Sequence, residues 1–175
     1  MVHSFAKQSL LLVTLLCFVF SLCSARTVQI GDICSKHNNP SICNAIILSV
    51  PGTNQGVDIG SVSLNLINMA HVNAFDTITL INEIIRNSSD PQTHQRYSSC
   101  TMDYTDVLLA LSQAKESYSS GNYSDMNFNA AVVTKDVKDC DTKAYDSSQV
   151  RINNQYLADF IMIIMILSDF LAGKY

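Results

Sequence analysis

Apolar residues return along most of this chain at steps of three and four, and short polar connections at Asn87 to Asp90, Gly121 to Ser124 and Ser147 to Gln149 divide them into four long segments. That period marks helices with one buried stripe. In the first, Ile67, Ala70, Ala74, Ile78, Ile81 and Ile85 form the seam, with Asp58 as N-cap. The second opens on Asp90-Pro91, a capping residue followed by proline at the first helical position. Its stripe runs through Tyr97, Cys100, Tyr104, Val107, Leu111, Ala114 and Tyr118, and Gly121 ends it. The third carries Met126, Ala130, Val133, Val137, Cys140 and Ala144 behind a Ser124 cap. The fourth extends from about Arg151 to Leu171 and is apolar nearly all round between Phe160 and Leu167, which predicts the most enclosed element. Asp159 and Asp169 interrupt it, so a core helix is a better reading than a membrane span. Past Pro51 there is almost no strand signal.

Connections this short force successive helices to run antiparallel, so the expected fold is all-α, an up-down-up-down four-helix bundle. The topology bears on the cysteines. Four lie beyond residue 25, and four cysteines allow three pairings. Cys100 and Cys140 stand about 20 residues either side of the Asn122 turn, roughly 30 Å from it on facing seams, and can meet. That leaves Cys34 with Cys43, across the turn-forming Asn38-Asn39-Pro40, as the staple of a small helical hairpin in front of the bundle.

The first 25 residues alter the picture of the compartment. Lys7, the apolar run Leu10 to Phe20 and the small-residue ending Cys23-Ser24-Ala25 have the order of a signal peptide. Cleavage after Ala25 would leave one helical domain over 26–175, with the hairpin in 26–56 and the bundle in 57–173, and would remove Cys17 and Cys23. An oxidising compartment then favours two disulfides. The sequons beginning at Asn87 and Asn122 are candidate N-glycosylation sites on surface loops.

Without Lys7 the chain keeps 10 basic and 15 acidic residues, a formal charge of −5. A nucleic acid is excluded as partner, because binding one requires a basic face that displaces counterions from phosphates. His37, His71 and His94 fall in different segments and never at the four-residue spacing of a zinc site. There is no nucleophile elbow, no P-loop and no dinucleotide fingerprint, so no cofactor, metal or catalytic group is expected. Asp103 and Asp106 project from neighbouring positions on the second helix, and Asp136, Asp139 and Asp141 interleave with Lys135, Lys138 and Lys143 on the third. Solvated helix faces explain both sets better than acid-base chemistry does. Tyr97 and Tyr104 read as core residues with hydroxyls reaching the rim.

Taken together, Cys34 to Cys43 with its internal Asn39-Pro40-Ser41, then Asp90-Pro91, Arg96-Tyr97, Cys100, Tyr104, Ala114-Lys115, Ser120-Gly121-Asn122-Tyr123 and Cys140, resemble the plant inhibitors of pectin methylesterase and acid invertase. The resemblance covers nearly the whole chain after residue 25. It implies a helical hairpin ahead of a four-helix bundle, the same two disulfides, and a noncovalent one-to-one complex with a cell-wall carbohydrate enzyme. In the pectin methylesterase branch it implies that the bundle covers the substrate cleft, outside the cell in the apoplast. The invertase branch has a Pro-Lys-Phe motif after the glycine that ends the second helix. Here that stretch is Gly121-Asn122-Tyr123-Ser124, which matches the pectin methylesterase branch.

Carried onto this chain, the resemblance makes Asp103, Tyr104, Asp106, Asp136 and Asp139 the candidate target-binding residues. Leu109 and Thr142 stand where the family often has a carboxylate, which weakens the expectation of strongly pH-dependent binding. Two other readings stand beside this one: an inhibitor of wall or vacuolar acid invertase, and a secreted helical structural or pollen-type protein with no enzyme target.

Overall fold

The computed structural model describes residues 27–53 and 57–175, and the expected signal segment, with Cys17 and Cys23, lies outside them. A two-residue strand β1 (Thr27–Val28) pairs antiparallel with β2 (Val57–Asp58), in the register Thr27 to Asp58 and Val28 to Val57. The sequence holds no sign of this pairing, since two residues are too few for alternation to register. Between the strands stand the short helices α1 (Ile30–Cys34) and α2 (Pro40–Ser49), the expected hairpin. Four long helices follow: α3 (Ile59–Asn87), α4 (Pro91–Ser119), α5 (Tyr123–Lys143) and α6 (Ser148–Leu171). Each packs on the next, and α3 packs on α6, which closes the bundle.

Capping chemistry sets the helix starts. The Asp58 carboxylate accepts from the backbone N–H groups of Gly60 and Ser61, and Asp90 accepts from those of Gln92 and Thr93. Two starts differ from expectation. Asn122, not Ser124, caps α5 by accepting from the Asp125 N–H, and α6 begins at Ser148 behind a Ser147 cap, three residues before Arg151. In both places the cap is an oxygen three residues ahead of the N–H it accepts from, which apolar periodicity does not reveal. Gly121 ends α4 at φ +74°, a conformation side-chain-bearing residues rarely adopt.

The seams meet in one core. Leu66, Ile67, Leu111, Met126, Leu157 and Ile161 are all buried, each worth about 1.5–3 kcal/mol on removal from water. The apolar α6 is long enough to cross a membrane by length and composition, but more than half of that stretch is covered by the other helices. Two disulfides join Cys34 to Cys43 and Cys100 to Cys140, with Cα separations of 5.5 and 4.6 Å. The second ties α4 to α5 inside the core, where both cysteines are fully buried.

A polar clamp holds the connection after α5. Asp146 accepts from the Arg96 guanidinium at 2.8 Å and from the Tyr97 hydroxyl at 2.7 Å, while Arg96 also donates to the Lys143 carbonyl and lies 4.5 Å over the Tyr145 ring. Donation from Arg96, then from Tyr97, holds the Asp146 carboxyl below the ordinary range, and burial pushes the Tyr97 hydroxyl up to about 12. A depressed carboxylate contributes stability above its unfolded pKa, about 3.9, and loses it as the pH falls through the folded value. Asp146→Asn is therefore expected to lower stability at neutral pH and to flatten the acid limb below about pH 4, as read from urea midpoints against pH.

Candidate interaction face on α4 and α5

Two contacts across the α4/α5 seam set the relative height of the two helices. Near one end the Lys143 ammonium meets the Asp103 carboxylate at 2.5 Å, and near the other the Asn129 amide donates to the Ser117 hydroxyl at 3.4 Å. Between them the antiparallel register brings Asp106 of α4 level with Asp139 of α5. Both lie on the outward side of their helices, Asp106 exposed and the Asp139 side chain 50% exposed. Along the same outward side run Met102, Leu109 and Phe128, each more than half exposed. The result is an acidic strip edged by apolar side chains, carried on helices that a core disulfide holds together.

The candidate residues do not all share this surface. Tyr104 is wholly buried and its hydroxyl donates to Asn154 Oδ1 at 2.7 Å, so it cannot touch a partner, and burial raises its pKa well above the ordinary value. It belongs to an internal chain in which Asn154 donates onward to Asp141 at 3.1 Å. The helical stripe that predicts a core tyrosine at this position holds, and its place in the binding set does not. Tyr104→Phe is expected to cost about 1–3 kcal/mol, because the buried Asn154 oxygen loses its donor. Thermal unfolding checks this, and the outward face of α4 and α5 should be unaffected.

Asp136 also departs from the solvated-face reading, being only 8% exposed. Lys135 reaches over it at 3.3 Å and to Asp139 at 3.5 Å, and hydrogen bonding to Asp136, followed by its charge, makes the Lys135 ammonium hold its proton more firmly. Asp103 is likewise half withdrawn, its side chain 17% exposed beneath Lys143. The lysines thus act between helices and over buried carboxylates, beyond the simple surface pairing their alternation suggests. Asp106 and Asp139 are left as the accessible acids of the set. Sequence reasoning did not pick out Met102 and Phe128; the available signal was an apolar residue standing off the seam of its own helix.

Elsewhere an open groove of about 590 Å³ runs between α5 and α6, lined by Lys138, Asp141, Arg151 and Ile152 among others. Among the described residues no three His, Cys, Asp or Glu side chains gather in a way that could hold a metal ion. His37, His71 and His94 sit in the hairpin, α3 and α4 respectively. Asn87 is the exposed last residue of α3, whereas the Asn122 amide is engaged twice by Asp125, as acceptor from its N–H at 3.2 Å and as donor to its carboxylate at 2.6 Å.

The sequence profile of the plant invertase/pectin methylesterase inhibitors matches residues 28–165, spanning the hairpin and almost all of the bundle. The chain belongs to this family. It is accordingly one of a family of protein inhibitors and not of enzymes. Among curated relatives, a pectinesterase inhibitor of Actinidia deliciosa is 28% identical over 175 residues, covering 95% of this chain and 93% of that protein. Pectinesterase inhibitor 2 of Arabidopsis thaliana is 24% identical over 123 residues, 70% of each chain. Crystal structures of an Arabidopsis pectin methylesterase inhibitor share the fold. A mutant form gives a TM-score of 0.72 at 21% identity over 80% of this chain and 95% of that one. A second structure gives 0.63 at 22% identity, over 81% and 95%. Both named relatives lie on the pectin methylesterase side of the family, in agreement with the Gly121-Asn122-Tyr123 turn.

Proposed function

We propose that this protein is secreted to the cell wall and inhibits a plant pectin methylesterase by docking the α4/α5 face noncovalently, one to one, across the enzyme's substrate cleft. The observation carrying this reading is the face itself: exposed Asp106 and Asp139 between the apolar Met102, Leu109 and Phe128, on a cross-linked pair of helices. A rigid surface loses little conformational entropy on docking, so more of the contact energy appears as affinity. Inhibition on this account is steric exclusion of the polysaccharide. The target follows from family membership and from the names of the two curated relatives.

The test is methanol release from pectin by plant pectin methylesterases, with the oxidised protein titrated in. Stoichiometric inhibition of at least one isoform is expected. Sucrose hydrolysis by acid invertases, run in parallel, addresses the other branch: inhibition there, with none of methanol release, would overturn the choice of target. Silence in both assays, with no partner retained from a cell-wall extract, would favour the non-inhibitory reading. Glycans, where present on the secreted protein, are expected on Asn87 and Asn122, and mass spectrometry reads both.

A further inference from the structure

The hairpin carries one titratable side chain that turns inward. His37, in the turn between α1 and α2, is fully buried at its side chain, whereas Lys36 and Asp32 beside it are exposed and Lys36 reaches the ring of Tyr175 at 4.6 Å. His37 Nδ1 lies 3.0 Å from both the backbone nitrogen and the carbonyl oxygen of Asn39. Its Nε2 has no hydrogen-bond partner among the described residues and lies 3.8 Å from Asp159 Oδ1 on α6. Among the described residues, Asp159, with an 11% exposed side chain, otherwise accepts only from the Gln155 amide at 3.4 Å. Among the described residues no other cationic group lies within ion-pair distance of it.

The site offers a partner set for each protonation state of the ring. When the imidazole is neutral, Nδ1 accepts the Asn39 N–H and Nε2–H faces Asp159 at a distance too long for a hydrogen bond. When it is charged, Nδ1–H donates to the Asn39 carbonyl, and Nε2–H turns a polar approach into an ion pair. We propose that His37 is a proton-operated latch between the N-terminal hairpin and α6, tighter when the ring is charged. The ring faces a largely buried carboxylate that, among the described residues, has no other counter-charge, and the ion pair supplies one. The remaining charges near this end, Asp169 and Lys174, satisfy each other at 2.6 Å. The latch matters because the Cys34–Cys43 bond lies within the hairpin, so attachment to the bundle rests on apolar packing that includes Ile33, Ile46 and Ile47, on the β1–β2 pairing, on Lys36 over the Tyr175 ring and on this contact.

Amide hydrogen exchange on the oxidised protein at about pH 5.5 and pH 8, which straddle the ordinary imidazole range, tests the proposal. With rates corrected for intrinsic exchange, protection of the α2 amides is expected to rise about tenfold on the acid side, while the α4 core stays unchanged. In Asp159→Asn, which keeps the shape and removes the charge, and in His37→Gln, α2 protection should no longer depend on pH. If wild-type α2 protection is equal at both pH values, or if Asp159→Asn retains the full dependence, the latch is ruled out. Should His37→Gln fail to fold, Asp159→Asn alone decides.

Discussion

Replacing Cys100 and Cys140 together by alanine is expected to lower the free energy of unfolding by about 4 kcal/mol, the loop-closure entropy of a crosslink 40 residues apart. For a domain of this size that is a fall in melting temperature of about 8 to 16 °C. The bond joins the two helices that carry the candidate interaction face, and both cysteines are fully buried, as are Tyr97 and Tyr104. Its removal therefore frees the unfolded chain and also loosens the packing that holds the α4/α5 register. Urea unfolding of wild type and variant, both with Cys34 and Cys43 oxidised, measures the effect. Equal midpoints would show that the core alone maintains the register. Inhibition should weaken less than stability does, provided the assay is run where the variant remains folded.

Reversing charge on the face is the second large effect. The double change Asp106→Lys and Asp139→Lys places two cations level with each other where the native surface has two anions. Close charge pairs at desolvated interfaces are worth on the order of 2 to 5 kcal/mol, so inhibition of pectin methylesterase should weaken by at least about 30-fold. Stability should change by no more than about 0.5 kcal/mol, because neither carboxylate is buried and the Lys135–Asp139 contact is a surface pair. The inhibition constant from methanol release, read beside the urea midpoint, separates the two. An unaltered inhibition constant in a fully folded variant would remove this face from the mechanism. Asp136→Asn makes a useful contrast, because that carboxylate is covered by Lys135 and its change should be felt more in stability than in binding.

The acidic candidates show how far a sequence motif reaches. Asp103, Asp106, Asp136 and Asp139 look equivalent along the chain, each a carboxylate immediately before a residue of an apolar seam. Folding ranks them. The seam between α4 and α5 withdraws Asp103 and Asp136 under lysines and leaves Asp106 and Asp139 outside, because the packing angle decides which flank of each helix the neighbour covers. Tyr104 shows the converse. Its position in the stripe already implied burial, and its hydroxyl is satisfied inside, so proximity to the acidic residues in sequence is not proximity on the surface.

Four helices, their antiparallel order, the hairpin and the cysteine pairs were legible in the chain itself. Each depends on local patterning: a 3.6-residue apolar period, capping residues, short polar turns and the reach of a helix of known rise. Family membership was legible too, through landmarks spread from Cys34 to Cys140. Only the tertiary structure decided which carboxylates remain accessible, that Lys143 reaches across the α4/α5 seam to Asp103, that Lys135 lies over Asp136 of its own helix, that β1 joins β2, and that His37 meets Asp159. The contacts between elements join residues far apart in the chain, and the rest depend on which flank of a helix is covered. They are set by how completed helices pack against one another, which no local pattern encodes.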